Sequence, residues 1–439
     1  MSQLLRTPLR GRTALFVSLL LVAAVSGSFA ANDSRDLAMA SPEDVGMDAG
    51  KLDELKAAMH KVVDDGKLAG VTTVVARKGK VVLFDVYGKA DVESGKDLTK
   101  DSIFRIYSMT KPIAGVALMT QWEQGKFKLD DPVEKYIPEW KGMKVSTGEM
   151  DGEVLKTEAA DHAMTMRELM THTGGLTYGF FSRSAVDTMY QEAGVLDLNS
   201  TVEDMTMKLA KIPLRQQPGS QWHYSVSVDV QGYLVEKFSG MPFDEALKKL
   251  LFEPLGMNDT DFWVPPAKAD RLTTLYVPNR DGGLVAQEQA QTDYLNKPAF
   301  FGGGGGLAST AGDYLRFAQM LANGGELDGV RILKPETVKL MHTNHLPESI
   351  DFINPMIGNP GNTFGLDFAI VEEPNGTVDH ELGKGEYWWY GIGGTWFGIN
   401  PVQDLIVVGM IQLRGGGAAR EVRLESKKMA YEALLDPVR

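Results

Sequence analysis

The sequence predicts an α/β fold of the α+β kind: one antiparallel sheet assembled from both ends of the chain, flanked by helices, with a mainly helical part inserted between the two halves. Three observations predict it. Near the start, residues 71–76 and 81–87 are β-rich runs separated by Arg77-Lys78-Gly79-Lys80, the pattern of a hairpin. Near the end, residues 395–400 and 405–413 read as two more strands, with Asp404 in the turn. Between them apolar residues recur at helical spacing, so the middle third reads as helix.

Taken in order, residues 48–63 place Leu, Ala, Met and Val at helical spacing among charges, an amphipathic helix ending near Gly66. The first hairpin follows. Phe104-Arg105-Ile106-Tyr107-Ser108-Met109-Thr110-Lys111-Pro112 then leads into the apolar, Ala-rich run 113–119, which reads as a buried helix. Residues 129–137 read as a turn and a short helix, and the polar, Gly-containing stretch 143–158 as a loop or small hairpin. A short helix over 166–170 stops at Thr171-His172-Thr173-Gly174-Gly175-Leu176, and residues 202–212, 230–238 and 243–251 are helical. Five glycines, Gly302 to Gly306, precede a helix over 311–323, and a last helix covers 420–435. The glycine run lacks a P-loop lysine and a following βαβ unit, so it reads as a close backbone approach and not as a phosphate cradle. The α/β part therefore takes about 42–107 and 300–439, and the helical part about 108–299.

With 439 residues and 43% apolar content, the chain can bury one large or two medium cores. Arg6, Arg10 and Arg12, an apolar run over 14–25 and Ser28-Phe29-Ala30 form a leader of the secretory type, so residues 1–30 read as a signal peptide cleaved after Ala30. Without an adjacent Arg-Arg pair, the general secretory route is expected, delivering a periplasmic or secreted protein of residues 31–439 with no stable membrane span. Loss of three arginines and no acids takes the net charge from −13 to −16. That acidity argues against nucleic acid or an anionic membrane as partner. Cysteine is absent, so disulfides and thiol chemistry are excluded. No H-E-x-x-H pairing exists, and His342 and His345 read as surface or capping residues, so neither metal nor cofactor is expected. The sequence leaves the oligomeric state open.

The candidate chemistry begins with Ser108 and Lys111. Three residues apart at a helix start, their side chains share one face, roughly 5–6 Å apart at Cβ. A serine hydroxyl attacks only when a neighbour takes its proton, and a desolvated lysine with a lowered pKa can do so. The same spacing also suits an N-cap followed by a first-turn surface lysine, so other residues must decide. Tyr224, in Trp222-His223-Tyr224-Ser225-Val226, is a candidate base, since a nearby lysine cation would lower its pKa. Tyr387-Trp388-Trp389-Tyr390-Gly391-Ile392-Gly393-Gly394-Thr395 precedes a strand, whose edge could offer backbone N–H groups as an oxyanion hole.

In this order, Ser108-Met109-Thr110-Lys111, Tyr224-Ser225 and Trp389-Tyr390-Gly391 resemble the motifs of the serine β-lactamase and penicillin-binding-protein superfamily, class C-like. More narrowly, the chain resembles the family VIII carboxylesterases. Leu169-Met170-Thr171-His172-Thr173-Gly174-Gly175-Leu176 and the stretch from Gly303 to Ala311 are similar to flanking segments of that family. The resemblance covers essentially the whole mature chain. It implies the serine β-lactamase-like fold, Ser108 as acyl-accepting nucleophile, Lys111 as its proton partner and Tyr224 as general base and then acid. It also implies an oxyanion hole from the backbone N–H groups of Ser108 and Ile392. His172-Thr173-Gly174 imitates the third motif but precedes Tyr224, so it reads as structural. The G-x-S-x-G elbow of α/β-hydrolases is absent.

Two departures direct the specificity. Val226 stands where class C β-lactamases carry an asparagine, and Trp389 where they carry a lysine for the lactam carboxylate. Losing both polar handles disfavours a charged antibiotic, and Trp389 suits an apolar ester. Tyr390 replaces a glycine and would narrow the pocket. The expectation is a serine carboxylesterase acting on small or short-acyl esters, with Phe180, Phe181, Trp222, Trp389, Tyr390 and Gly391 around the substrate. The alternatives on the same residues are a β-lactamase, a D-amino-acid peptidase or an acyltransferase; a further alternative is a non-catalytic binding protein of the same fold.

Overall fold

A computed structural model describes residues 36–287, 294–350, 352 and 360–438. The leader over 1–30 lies outside the described residues. In chain order the main elements are α1 (Ala49–Asp64), β1 (Gly70–Arg77), β2 (Lys80–Asp91), β3 (Lys96–Asp97), α2 (Thr110–Glu123), α3 (Ser227–Ser239) and α4 (Ala311–Ala322). They are followed by β4 (Asn362–Phe364), β5 (Ala369–Val371), β6 (Tyr387–Tyr390), β7 (Trp396–Asn400), β8 (Leu405–Met410) and α5 (Ala418–Glu432).

The strands form one eight-stranded sheet in the order β4-β5-β6-β7-β8-β1-β2-β3, with antiparallel neighbours. The two ends of the chain meet where β1 pairs with β8, Val74 facing Val408. Successive side chains of a strand point to opposite faces. Val71, Val75, Leu405 and Val407 accordingly pack with Leu52, Leu55 and Met59 of α1 and Val422 and Ala430 of α5. Val74, Ile406, Val408 and Met410 point the other way, into the core shared with α2, α3 and α4. Both faces are covered, which is why β8 is apolar at nearly every position. Register has a steric lock: Trp396 faces Gly409, and a Cβ at 409 would lie 1.9 Å from the indole.

The expected class is observed: a β-lactamase-like sheet with flanking helices, mixed α and β. The 143–158 stretch takes the hairpin form, Lys144–Asp151 with Val154–Ala159, one of the two expected there. Differences are local. The helix expected over 243–251 is α-helical only at Phe243–Leu247 and continues as a π turn, Lys248–Phe252. β4 and β5 were not foreseen, being three residues each. The last strand stops at Met410, because Gln412 turns its amide onto the Arg105 backbone, accepting its N–H at 3.2 Å and donating to its carbonyl at 3.1 Å. His342 and His345 are half-buried and cap the helix Pro335–Met341: His342 is its C-cap residue and stacks on Tyr387 at 4.5 Å, and His345 contacts the Leu340 carbonyl of its last turn and Arg167. No described helix is long and apolar enough to cross a membrane, and the described residues hold no group of three or more His, Asp or Glu side chains fit for a metal.

Candidate active site

The segment before Ser108 is held by both halves of the chain. The Ile106 N–H donates to the Leu307 carbonyl at 3.0 Å, and the Thr395 hydroxyl donates to the Ile106 carbonyl at 3.2 Å. Tyr107 then adopts a left-handed φ of 42°, a conformation that costs an L-residue roughly 1–2 kcal/mol. Its ring lies against Gly393, where a Cβ would intrude at 2.7 Å, whereas a Cβ at Gly305 would meet its backbone only at an ordinary contact distance of 3.6 Å. This sharp turn delivers Ser108 into a single 3₁₀ turn, Tyr107–Met109, directly ahead of α2.

Lys111 is not a surface lysine. It is 1% exposed, and its Nζ lies 3.3 Å from the Ser108 Oγ while donating to the Gly304 carbonyl. Tyr224 approaches from the other side, its hydroxyl donating to Ser108 Oγ at 2.8 Å. The Lys111 Nζ also sits over the Tyr224 and Tyr178 rings, 4.6 and 5.3 Å from their centroids. Burial depresses the Lys111 pKa to about 7, with the Asp229 and Asp367 carboxylates pulling it back upward. A neutral amine is therefore abundant at neutral pH.

Tyr224 departs from expectation. Burial pushes its phenol upward instead of downward; Ser108 and the Trp389 indole N–H favour the phenolate but do not overcome desolvation. Among the described residues the Trp389 Nε1 has no hydrogen-bond acceptor. The phenol is thus protonated at rest, as its donation to Ser108 requires.

Several residues around Lys111 were not singled out from the sequence. Asp229 on α3 is 2% exposed and accepts the Gly304 N–H at 2.8 Å through Oδ1. The Gly304 peptide thereby links Asp229 to Lys111. Only glycine fits at 304, since a Cβ would lie 2.4 Å from Asp229 Oδ2 and 2.8 Å from the Tyr178 hydroxyl. Asp367, also buried, accepts from Gln231 Nε2 at 3.0 Å. One signal was available: Asp229 is a charge inside the apolar run Val228-Asp229-Val230, which is costly unless the charge has a partner. Asp367 had none, as only the fold brings it behind α2.

The structure brings the walls together unevenly. Trp389 is buried on the site face of β6, its ring 5.7 Å from Tyr224, and Trp222 stacks on Tyr224 at 6.0 Å. Phe181 lies 5.8 Å from Tyr224, whereas Phe180 is 57% exposed at the rim. Tyr390 points the other way, as strand alternation demands. Its ring lies 3.9 Å from the Arg423 guanidinium of α5 and stacks with Trp388, so it does not narrow the pocket. Gly391 lies against Ile106, where a Cβ would meet the carbonyl at 2.3 Å. Ile392 follows in the turn closed by the Gly394 N–H on the Gly391 carbonyl, and among the described residues its own N–H has no backbone acceptor. Val226 is fully buried at the start of α3 and presents no polar group. His172 is a buried wall residue, its Nδ1 3.1 Å from Ser225 Oγ and its ring 5.0 Å from Tyr224; burial and the Lys111 charge hold its pKa well below the usual value.

A family model described as Beta-lactamase matches residues 55–430. An uncharacterised Mycobacterium tuberculosis protein is 34% identical over 371 residues, spanning 82% of this chain and 90% of its own. Esterase EstB of Burkholderia gladioli is 28% identical over 366 residues, spanning 78% and 86%. Among solved structures, EstCE1, described as a hydrolase with promiscuous acyltransferase activity, aligns with a TM-score of 0.72 at 25% identity, covering 87% of this chain and 99% of that one.

Proposed function

Given that the chain belongs to the β-lactamase family and is a serine hydrolase, we propose that it cleaves small or short-acyl carboxylic esters through an acyl-enzyme on Ser108. One observation carries this reading: Ser108 Oγ lies between a buried lysine near its neutral point and a protonated tyrosine, at 3.3 and 2.8 Å.

In the proposed sequence, Ser108 Oγ attacks the ester carbonyl carbon as its proton passes to the neutral Lys111 amine. The tetrahedral oxyanion is received by the Ser108 and Ile392 N–H groups. The new ammonium lies over the Tyr224 ring, which eases release of the phenolic proton to the departing alkoxide as the ester C–O bond breaks. Lys111 then returns a proton to the phenolate. Water repeats the steps on the acyl-enzyme, freeing the acid and restoring Ser108.

Specificity for esters over lactams is supported by Val226 and Trp389, which leave neither an amide nor a cation at the two positions where a charged lactam would be held. An alcohol in place of water would make the same acyl-enzyme a transferase, and the description of EstCE1 favours testing that acceptor. The test is intact-mass detection of an acyl adduct on Ser108 with a nitrophenyl ester, alongside turnover by Ser108→Ala. The expected outcome is one acyl group on the wild-type serine and no turnover by the variant; normal turnover by Ser108→Ala refutes the assignment.

A further inference from the structure

A cleft lined by Arg183 and Gln221, close in the chain to Phe181 and Trp222, is left unused by this chemistry. It has a volume of about 500 Å³, and Ser146, Arg183, Arg215, Gln216 and Gln221 supply its polar lining, with Met150 on its apolar side. Among the described residues no aspartate or glutamate lines it. Arg77, Arg167, Arg271, Arg316 and Arg331, by contrast, each meet a carboxylate. Among the described residues Arg215 bonds only a neutral partner, donating from Nη1 to Gln216 Oε1 at 3.0 Å, and its Nε is shut off from solvent without an acceptor there. Two guanidinium groups, a buried N–H without a partner and neutral amides together form a surface built for an oxyanion, since a guanidinium offers paired N–H groups to a planar or tetrahedral anion.

The cleft adjoins the catalytic residues. Phe181, beside Tyr224, precedes Arg183 by two residues, and Gln221 immediately precedes Trp222, which stacks on Tyr224. Gln221 is three residues from Tyr224, so at ~3.8 Å per step their Cα atoms lie within about 11 Å. His223, between Trp222 and Tyr224 in the chain, contacts the Thr177 hydroxyl through Nε2 at 3.1 Å, and the Arg215 charge adds to burial in holding its pKa at about 4.

We propose that this cleft is a subsite for an anionic group, a carboxylate or a phosphate ester, carried on the substrate and joined to the scissile ester by an apolar spacer running along Phe181 and Trp222. This rests on reading Ser108 as the ester-cleaving nucleophile, and it narrows the substrate class to amphiphilic esters with an anionic end. It also places the recognised charge apart from the position that Trp389 occupies.

The test compares nitrophenyl hexanoate with the mononitrophenyl ester of adipic acid, of equal chain length, and with nitrophenyl 6-phosphonooxyhexanoate. Wild-type enzyme is expected to show a lower KM for one or both anionic esters, and the better of the two identifies the anion. Arg183→Gln and Arg215→Gln are each expected to reduce the anionic-to-neutral ratio of kcat/KM by about ten- to a hundredfold, acting on KM. Arg183→Glu, at an exposed position, should invert the preference without a folding burden. Equal losses on neutral and anionic esters, or no loss, overturn the subsite. Should none of the esters be cleaved, the nucleophile reading fails separately. The cleft is then judged by thermal shift of the full chain with adipate or inorganic phosphate: stabilisation lost in Arg215→Gln supports it, and no stabilisation of wild type overturns it.

Discussion

Asp229→Asn separates the charge behind Lys111 from the geometry that charge supports. The asparagine carbonyl can still accept the Gly304 N–H, so the Gly304 carbonyl stays aimed at Lys111, but one buried negative charge is gone. The route from Nζ through the Gly304 peptide to the carboxylate spans at most roughly 9 Å, from two hydrogen bonds and one residue. At that distance, with an effective dielectric constant of about 20, Coulomb's law gives about 2 kcal/mol, or roughly one and a half pH units. Its sign is set by the lysine. A carboxylate stabilises the ammonium, so removing it lowers the Lys111 pKa, and the neutral base persists to lower pH. The acid limb of kcat/KM, expected near pH 7 in wild type, should therefore move to lower pH by about that amount, while the plateau falls because the weaker base accepts the serine proton less readily. Steady-state assays from pH 4 to 9 with a neutral nitrophenyl ester, on protein whose melting curve matches wild type, read this directly. An acid limb that stays in place or moves upward refutes the coupling.

Tyr224→Phe removes the proton donor to the leaving group while keeping the ring that packs on Trp222 and Trp389. It should cost about 10²–10⁴-fold in kcat, with fold and Lys111 pKa retained; a smaller loss moves leaving-group protonation elsewhere. Gly409→Ala drives a methyl into the Trp396 indole at the pair that sets the β7–β8 register. Overpacking of this kind costs about 1–3 kcal/mol, read as a lower chemical denaturation midpoint; unchanged stability would show that the sheet yields there at little cost.

Much of the fold was legible because its signals are local. The β1–β2 hairpin has β-rich runs on either side of Lys78-Gly79, and β8 is apolar throughout because both its faces are covered. Ser108, Lys111 and Tyr224 were legible as motif residues, and the structure brings all three within one hydrogen-bonding group. Tyr390 was misjudged because the face a strand residue takes depends on register, and register depends on the partner strand. The direction of the Tyr224 pKa was misjudged for a related reason: proximity to a cation was readable from the motifs, but the depth of burial that outweighs it was not.

The sequence by itself determined the reactive groups and the order in which they occur, together with the sheet built from both termini, since these depend on residue type, spacing and periodicity along the chain. Only the tertiary structure decided the electrostatics. Asp229 and Asp367 lie behind Lys111, and Arg183 and Arg215 line one cleft, because α3, β4–β5 and the hairpin at 144–159 pack from distant parts of the chain. Desolvation and Coulomb interactions depend on distance in space, and so the charge state of Lys111 follows from the packed core and not from any motif.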